Sequence, residues 1–110
     1  MACGKLEIEI LNTFWNLDDD TDISIQDVVD YLSGKGLDRA YTTIKTVMDR
    51  LVAKSVLVRY KSGKKFFYNA TVDKEEMATN AVSEVIENFF NGNSTDLIHF
   101  VENKYQLLSK

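Results

Sequence analysis

The apolar period of this chain changes just after Lys54. Up to that point apolar residues return every three or four positions, the spacing of helices buried on one side. From Val56 to Tyr68 they alternate, which is the spacing of strands. From Asp73 the helical spacing returns. Such a chain is restricted to helices, then one hairpin, then more helices.

The first helix spans roughly Lys5 to Asn16. Leu6, Ile10 and Phe14 form its stripe, with Ile8, Leu11 and Trp15 widening it. Trp15 is expected in the core. Leu17-Asp18-Asp19-Asp20-Thr21-Asp22 ends the helix as a polar turn. Its acids lack the glycine and distal glutamate of a calcium loop, so no metal site is expected there. Ser24 and Asp27 fit a capping box, in which Ser24 accepts from the Asp27 amide. Ile25, Val28, Val29 and Leu32 form the buried stripe of a second helix. Ser33-Gly34-Lys35-Gly36 stops it with glycine at the left-handed capping position, and Leu37 anchors the turn.

The third helix runs from about Ala40 to Lys54. Ile44, Val47, Met48 and Leu51 lie at i, i+3, i+4 and i+7, a single apolar stripe. Thr42, Thr43, Lys45, Thr46 and Arg50 lie off it, and no carboxylate stands between Thr42 and Met48. A merely solvated face usually mixes Glu with Lys. Hydroxyls and cations alone suit the base edges and phosphates of a nucleic-acid groove.

In the alternating stretch, Val56, Val58 and Tyr60 interleave with Leu57, Arg59 and Lys61. Phe66 and Tyr68 interleave with Lys65, Phe67 and Asn69. The turn Lys61-Ser62-Gly63-Lys64 joins the two runs, which predicts a β-hairpin. Its tip carries Lys61, Lys64 and Lys65. Phe66, Phe67 and Tyr68 are expected to pack as core. Three helices followed by a basic hairpin is the order of a winged helix-turn-helix, in which the third helix enters the groove and the wing touches flanking backbone.

The expected fold class is therefore mainly α with a small β-hairpin. Residues 1–71 form the winged DNA-binding domain and residues 72–110 a helical segment. Asp73 caps the fourth helix, which bears Met77, Ala81, Val82, Val85, Ile86, Phe89 and Phe90. Asn91-Gly92-Asn93 breaks it, and Ser94 caps a fifth helix bearing Leu97, Ile98, Val101, Tyr105 and Leu108. Two such helices are too small to close a core alone. Either they fold back on the winged domain or they pair with a second copy, and dimerisation is preferred because duplex sites are usually read by two-fold dimers. The interface residues expected are Val82, Val85, Ile86, Phe89, Phe90, Leu97, Ile98 and Val101.

The net charge of −4 conceals an asymmetry. Between Asp38 and Tyr68 eight cations face two acids, a net of +6, while the remainder carries five cations and fifteen acids, a net of −10. This suggests a basic contact surface on an acidic body. Cys3 is the single cysteine, which excludes an internal disulfide and a cysteine-rich metal site and suits a reducing cytoplasm. No signal peptide or membrane span is recognisable. His99 is the single histidine, and there is no phosphate loop, CxxC or paired-histidine motif. No enzyme, cofactor or metal is expected.

These motifs resemble the penicillinase-repressor family of bacterial winged-helix regulators over nearly the whole chain. Leu6-Glu7-Ile8-Glu9-Ile10-Leu11 followed by Trp15 is similar to the family's opening helix. Ala40-Tyr41-Thr42-Thr43, Thr43-Ile44-Lys45-Thr46, Arg50-Leu51 and Lys54 resemble its recognition-helix signature. Gly63-Lys64-Lys65-Phe66-Phe67-Tyr68 is similar to its wing, and Asn91-Gly92 with Phe100-Val101-Glu102 to its C-terminal helices. The resemblance implies a homodimeric repressor on a dyad-symmetric operator in double-stranded DNA. It places DNA contacts at Thr42, Thr43, Lys45, Thr46 and Arg50, with Lys54, Lys61, Lys64 and Lys65 completing the basic set. In β-lactam-responsive members a sensor-protease pathway leads to cleavage of an Asn-Phe bond. The bond His99-Phe100 corresponds to it here, with histidine in place of asparagine. The copper-responsive branch uses a C-terminal cysteine cluster, absent after Cys3. Ser55 stands where the family often has glycine. The sequence reaches only Lys110, short of the family's last helix, and the expectation is a weaker dimer or a longer fifth helix. Two other readings compete: a winged module that binds a partner protein through its C-terminal helices, with incidental DNA affinity, and an RNA-binding winged helix.

Overall fold

A computed structural model describes residues 4–17 and 21–106. Cys3, the acids Asp18-Asp19-Asp20 and Leu108 lie outside the described residues. The element order is α1 (Lys5–Asn16), α2 (Ile25–Gly34), α3 (Tyr41–Ala53), β1 (Leu57–Ser62), β2 (Lys65–Ala70), α4 (Lys74–Phe89) and α5 (Ser94–Tyr105). The chain divides into two compact units, one ending at Lys74 and one starting at Glu75.

In the first unit α1, α2 and α3 pack on one another, and the stripes read from the sequence supply the core. Ile10, Leu11, Val28, Ile44, Met48 and Leu51 have no exposed surface. Removing such side chains from water is worth about 1.5–3 kcal/mol each. α2 begins with the expected capping box: the Ser24 hydroxyl accepts from the Asp27 amide at 3.2 Å, and the Asp27 carboxylate accepts from the Ser24 amide at 3.0 Å. Past its end the Leu37 and Gly36 amides donate to the carbonyls of Leu32 and Ser33, with Gly36 at φ +86°. This is the Schellman arrangement, and it turns the chain toward α3.

α3 ends the same way without a glycine. The Val56 amide donates to Leu51 and the Ser55 amide to Val52, with Ser55 at φ +64°. Thr71 fastens this corner to the end of β2, its hydroxyl donating to the Ser55 carbonyl at 2.6 Å. The antiparallel register pairs Leu57 with Ala70, Arg59 with Tyr68 and Lys61 with Phe66. Cross-strand partners share a face. The hairpin turns at Gly63-Lys64, with φ positive at Gly63 alone of these two residues, the pattern of a type II′ turn. The Tyr68 amide also donates to the Ile23 carbonyl at 2.8 Å, so the residue before Ser24 and α2 forms a bridge to β2. The alternation pattern gave no sign of that bridge, because one residue carries no period.

Not every hairpin aromatic packs as expected. Tyr68 and Leu57 are 2% exposed, but Phe66 is 46% exposed and Phe67 is half-buried. The correction has a local cause: Phe66 borders an open cleft beside α3 and the start of α2, where the cations Arg59 and Lys61, not core side chains, lie over its ring. Trp15 is likewise half-buried, and its indole Nε1 donates to the Val72 carbonyl at 3.0 Å, tying the end of α1 to the chain after β2.

A charged tie joins α1 to the end of α3. Glu7, 6% exposed, accepts from the Gly4 amide at 2.8 Å and from the Lys54 ammonium at 3.0 Å. The hydrogen bond donated by the Gly4 amide, aided by Lys54, holds the Glu7 carboxyl below its ordinary value, against the opposing effect of burial.

The second unit is the helix pair α4 and α5. Its turn has Asn91 at φ +54° and Gly92 at φ +78°, and Asn93 rather than Ser94 is the N-cap of α5. The Asn93 side-chain oxygen accepts from the Asp96 amide at 3.2 Å, a reach open to asparagine because Gly92 has already reversed the chain. No residue of α4 or α5 is fully buried.

Ser55→Gly is expected to raise stability by about 0.5–1 kcal/mol, because the left-handed conformation burdens serine more than glycine loses in chain entropy. Urea titration of the two proteins measures it. Glu7→Gln keeps an acceptor for Gly4 and leaves Lys54 without a counter-charge, for an expected loss of about 1–3 kcal/mol near neutrality. Because the folded-state carboxyl is held low, its contribution is complete above the ordinary carboxylate value and drains as pH falls through the folded value. The stability gap between this variant and the wild type should therefore close on acidification, which urea titrations across the acid range would follow.

Candidate nucleic-acid interface

With Ile44, Val47, Met48 and Leu51 turned inward, α3 presents Tyr41, Thr42, Thr43, Lys45, Thr46 and Arg50 to solvent. The helix starts at Ala40, which supplies no side-chain cap. The positive end of α3 therefore lies beside its exposed face. Thr46 uses its hydroxyl proton on the Thr42 carbonyl at 2.9 Å, leaving its lone pairs and methyl group outward. Lys45 donates to Asp49 at 2.8 Å, and this bond raises the Lys45 ammonium above its ordinary value.

The hairpin stands beside this face. Lys61, Lys64 and Lys65 are exposed at its tip. On its inward face the Arg59 guanidinium lies over the Phe66 ring at 4.6 Å and the Lys61 ammonium at 5.6 Å. Two cations thus share one exposed aromatic ring, which orients them without neutralising them. Arg59 also reaches the Tyr68 phenol. Burial pushes that phenol up and the Asp49 carboxylate adds to the shift, while the guanidinium pulls it down. The outward face carries Tyr60, whose hydroxyl donates to Asp22 at 2.7 Å and is raised by that bond.

Between α3, the start of α2 and the hairpin runs an open cleft of about 520 Å³, lined by Ser24, Ile25, Gln26, Tyr41, Lys45, Arg59, Lys65, Phe66 and Tyr68. The fold brings Lys45 and Lys65, twenty positions apart in sequence, to one cleft. Lys54 is placed elsewhere: its ammonium is spent on Glu7 and its side chain is 23% exposed. Arg59, Tyr41 and Phe66 were not among the expected contact residues. The i, i+2 spacing of Arg59 and Lys61 opposite Phe66 was the available sign, since it puts all three on one strand face.

The candidate interface residues of the helical unit are more exposed than core side chains. Val82, Val85, Phe89 and Ile98 are exposed, Phe89 by 75%, and Ile86, Phe90, Leu97 and Val101 are half-buried. His99 and Phe100 are exposed on α5, with the Phe100 ring 5.5 Å from that of Phe90. No described helix is long and apolar enough to cross a membrane. Among the described residues no three or more His, Cys, Asp or Glu side chains gather as a metal site.

A three-helix body with an appended basic hairpin defines the class as a winged helix. Within that class the chain belongs to the penicillinase repressor family, whose sequence profile matches residues 3–110. An uncharacterized 16.5 kDa protein from the ptsI 3′ region of Latilactobacillus sakei is 36% identical over 81 residues, 74% of this chain and 53% of that protein. The chain thus spans about half the length of that curated relative.

Tyr60 and Tyr68 should ionise later than the ordinary tyrosine value of about 10. Spectrophotometric titration would resolve these late components, and Tyr60→Phe should remove one of them while leaving the helical circular dichroism intact.

Proposed function

We propose that this chain is a sequence-specific DNA-binding transcriptional repressor that acts as a homodimer on a dyad-symmetric operator. The observation that carries this is the pairing of an exposed hydroxyl-and-cation helix face with a basic hairpin across one cleft. Membership of the penicillinase repressor family supports the same reading. Each protomer sets Thr42, Thr43, Lys45, Thr46 and Arg50 in a major groove, and Lys61, Lys64 and Lys65 against phosphates. Arg59 joins them from the hairpin's inward face. Repression follows from occupying the promoter, and the chain performs no catalysis.

The dimer forms through α4 and α5. Val82, Val85, Ile86, Phe89 and Phe90 of one helix and Leu97, Ile98 and Val101 of the other supply the apolar surface. The 75% exposure of Phe89 supports this assignment, because a ring of that size gains most from a partner. Release follows cleavage of the His99-Phe100 bond by a sensor-protease pathway, which would cut α5 in its middle and dismantle the surface. The protein works in the cytoplasm.

If a dimer neutralises about eight phosphates, log K for the operator falls with log salt at a slope of about −7. Gel shifts on DNA from upstream of the chain's own gene, at a series of salt concentrations, measure it. Salt-independent binding would reject the interface. Arg50→Ala should weaken operator binding by about 1–3 kcal/mol with little change in melting temperature. Equal losses in both would make Arg50 structural. Phe89→Asp should shift the protein to monomer in sedimentation and lower operator affinity, and an unchanged dimer would reject the α4–α5 surface. In cells, induction should produce a shorter fragment; full-length protein during derepression would reject cleavage.

A further inference from the structure

Asp49 is a carboxylate in the middle of a surface otherwise made of hydroxyls and cations. At about 100° per residue it lies about 20° from Thr42 and about 60° from Thr46 around α3, near the centre of the exposed face. Its side chain is 43% exposed and is held by Lys45 at 2.8 Å. Its charge also reaches the buried Tyr68 phenol, so it stands on the hairpin side of the face.

Helix energetics do not account for it. Aspartate is among the poorer helix formers in a helix interior. The acid follows its lysine by four residues, the weaker order for such a pair. Asp49 is also far from the N-terminal turn, where the helix dipole favours acids. A residue that local rules disfavour at the centre of a contact surface points to a role in the contact itself.

Resting on the repressor reading above, we propose that Asp49 is a specificity residue that admits an exocyclic amine in the major groove and penalises sites that lack one. In the free protein Lys45 neutralises it. On DNA, phosphates compete for Lys45, and the released carboxylate faces a groove of negative potential. Cytosine N4 and adenine N6 present N–H donors there, and a carboxylate is a suitable acceptor for them. Guanine O6 and thymine O4 repel it. Asp49 therefore weakens binding to random duplex more than binding to the cognate site, which is how a repulsive element creates discrimination.

The test uses the full chain, wild type and Asp49→Asn, in selection from a randomised duplex pool and in titration of random duplex at low salt. The wild type should enrich cytosine or adenine on the contacted strand at one position per half-site. Asp49→Ala, which has no acceptor, should lose preference at that position alone, by about tenfold in discrimination, and should bind random duplex more tightly. Asparagine retains an acceptor and adds a donor, so D49N should also bind random duplex more tightly but should shift its choice at that position toward adenine and away from cytosine. If both variants select the same bases as wild type, the proposal is overturned while the repressor reading stands. If the wild type selects no duplex sequence, both fall. A drop in melting temperature with unchanged base preference would make the Lys45–Asp49 pair a helix contact only and would also overturn the proposal.

Discussion

The rotation of α3 about its own axis is the constraint on which the rest depends. Ile44, Met48 and Leu51 have no exposed surface, and Val47 adds to the same stripe. A helix fixed by four inward side chains has its outward side chains fixed as well. Turning it by one residue would bury Lys45 or Arg50 in an apolar core, which is prohibitive without partners. The same burial fixes where α3 ends. Its Schellman turn at Ser55 sends the chain back as β1, so the hairpin begins at the foot of the helix whose face it flanks.

The hairpin is seated by few contacts, and each comes from a different part of the chain. Leu57 and Tyr68 anchor its base in the core, Ile23 lends a carbonyl, and Thr71 holds the corner at Ser55. Beyond that base Phe66 borders an open cleft, and there the aromatic ring serves cations instead of the core. Phe66 beneath Arg59 and Lys61 shows the change of role along one strand face. The cations of the +6 stretch accordingly divide. Lys54 holds α1 to α3 through Glu7, Lys45 is paired with Asp49, and Arg59 and Lys61 are stacked. Charge count alone treats them as equivalent.

The second unit follows the same physics with an opposite result. α4 and α5 have helical apolar patterns as regular as those of the first three helices, yet none of their residues is fully buried. Two helices have too little surface to enclose one another's stripes. The proposed dimer would supply the missing surface and would join two winged units, so that the proposed unit of DNA recognition is a pair.

By itself the sequence determined the element order, the inward stripes, the Ser24 and Gly36 ends of α2, and the polar composition of the α3 face. These are local properties, set by period and by capping chemistry within a few residues. Family membership was legible from the recognition-helix and wing motifs for the same reason. The tertiary structure alone decided what is shared between distant positions. It joined Ile23 to Tyr68, gave Lys54 to Glu7, and brought Lys45, Arg59 and Lys65 to one cleft. It also exposed Phe66, which alternation had assigned to the core. Period reports which side of a strand a residue occupies; what packs against that side depends on residues elsewhere in the chain.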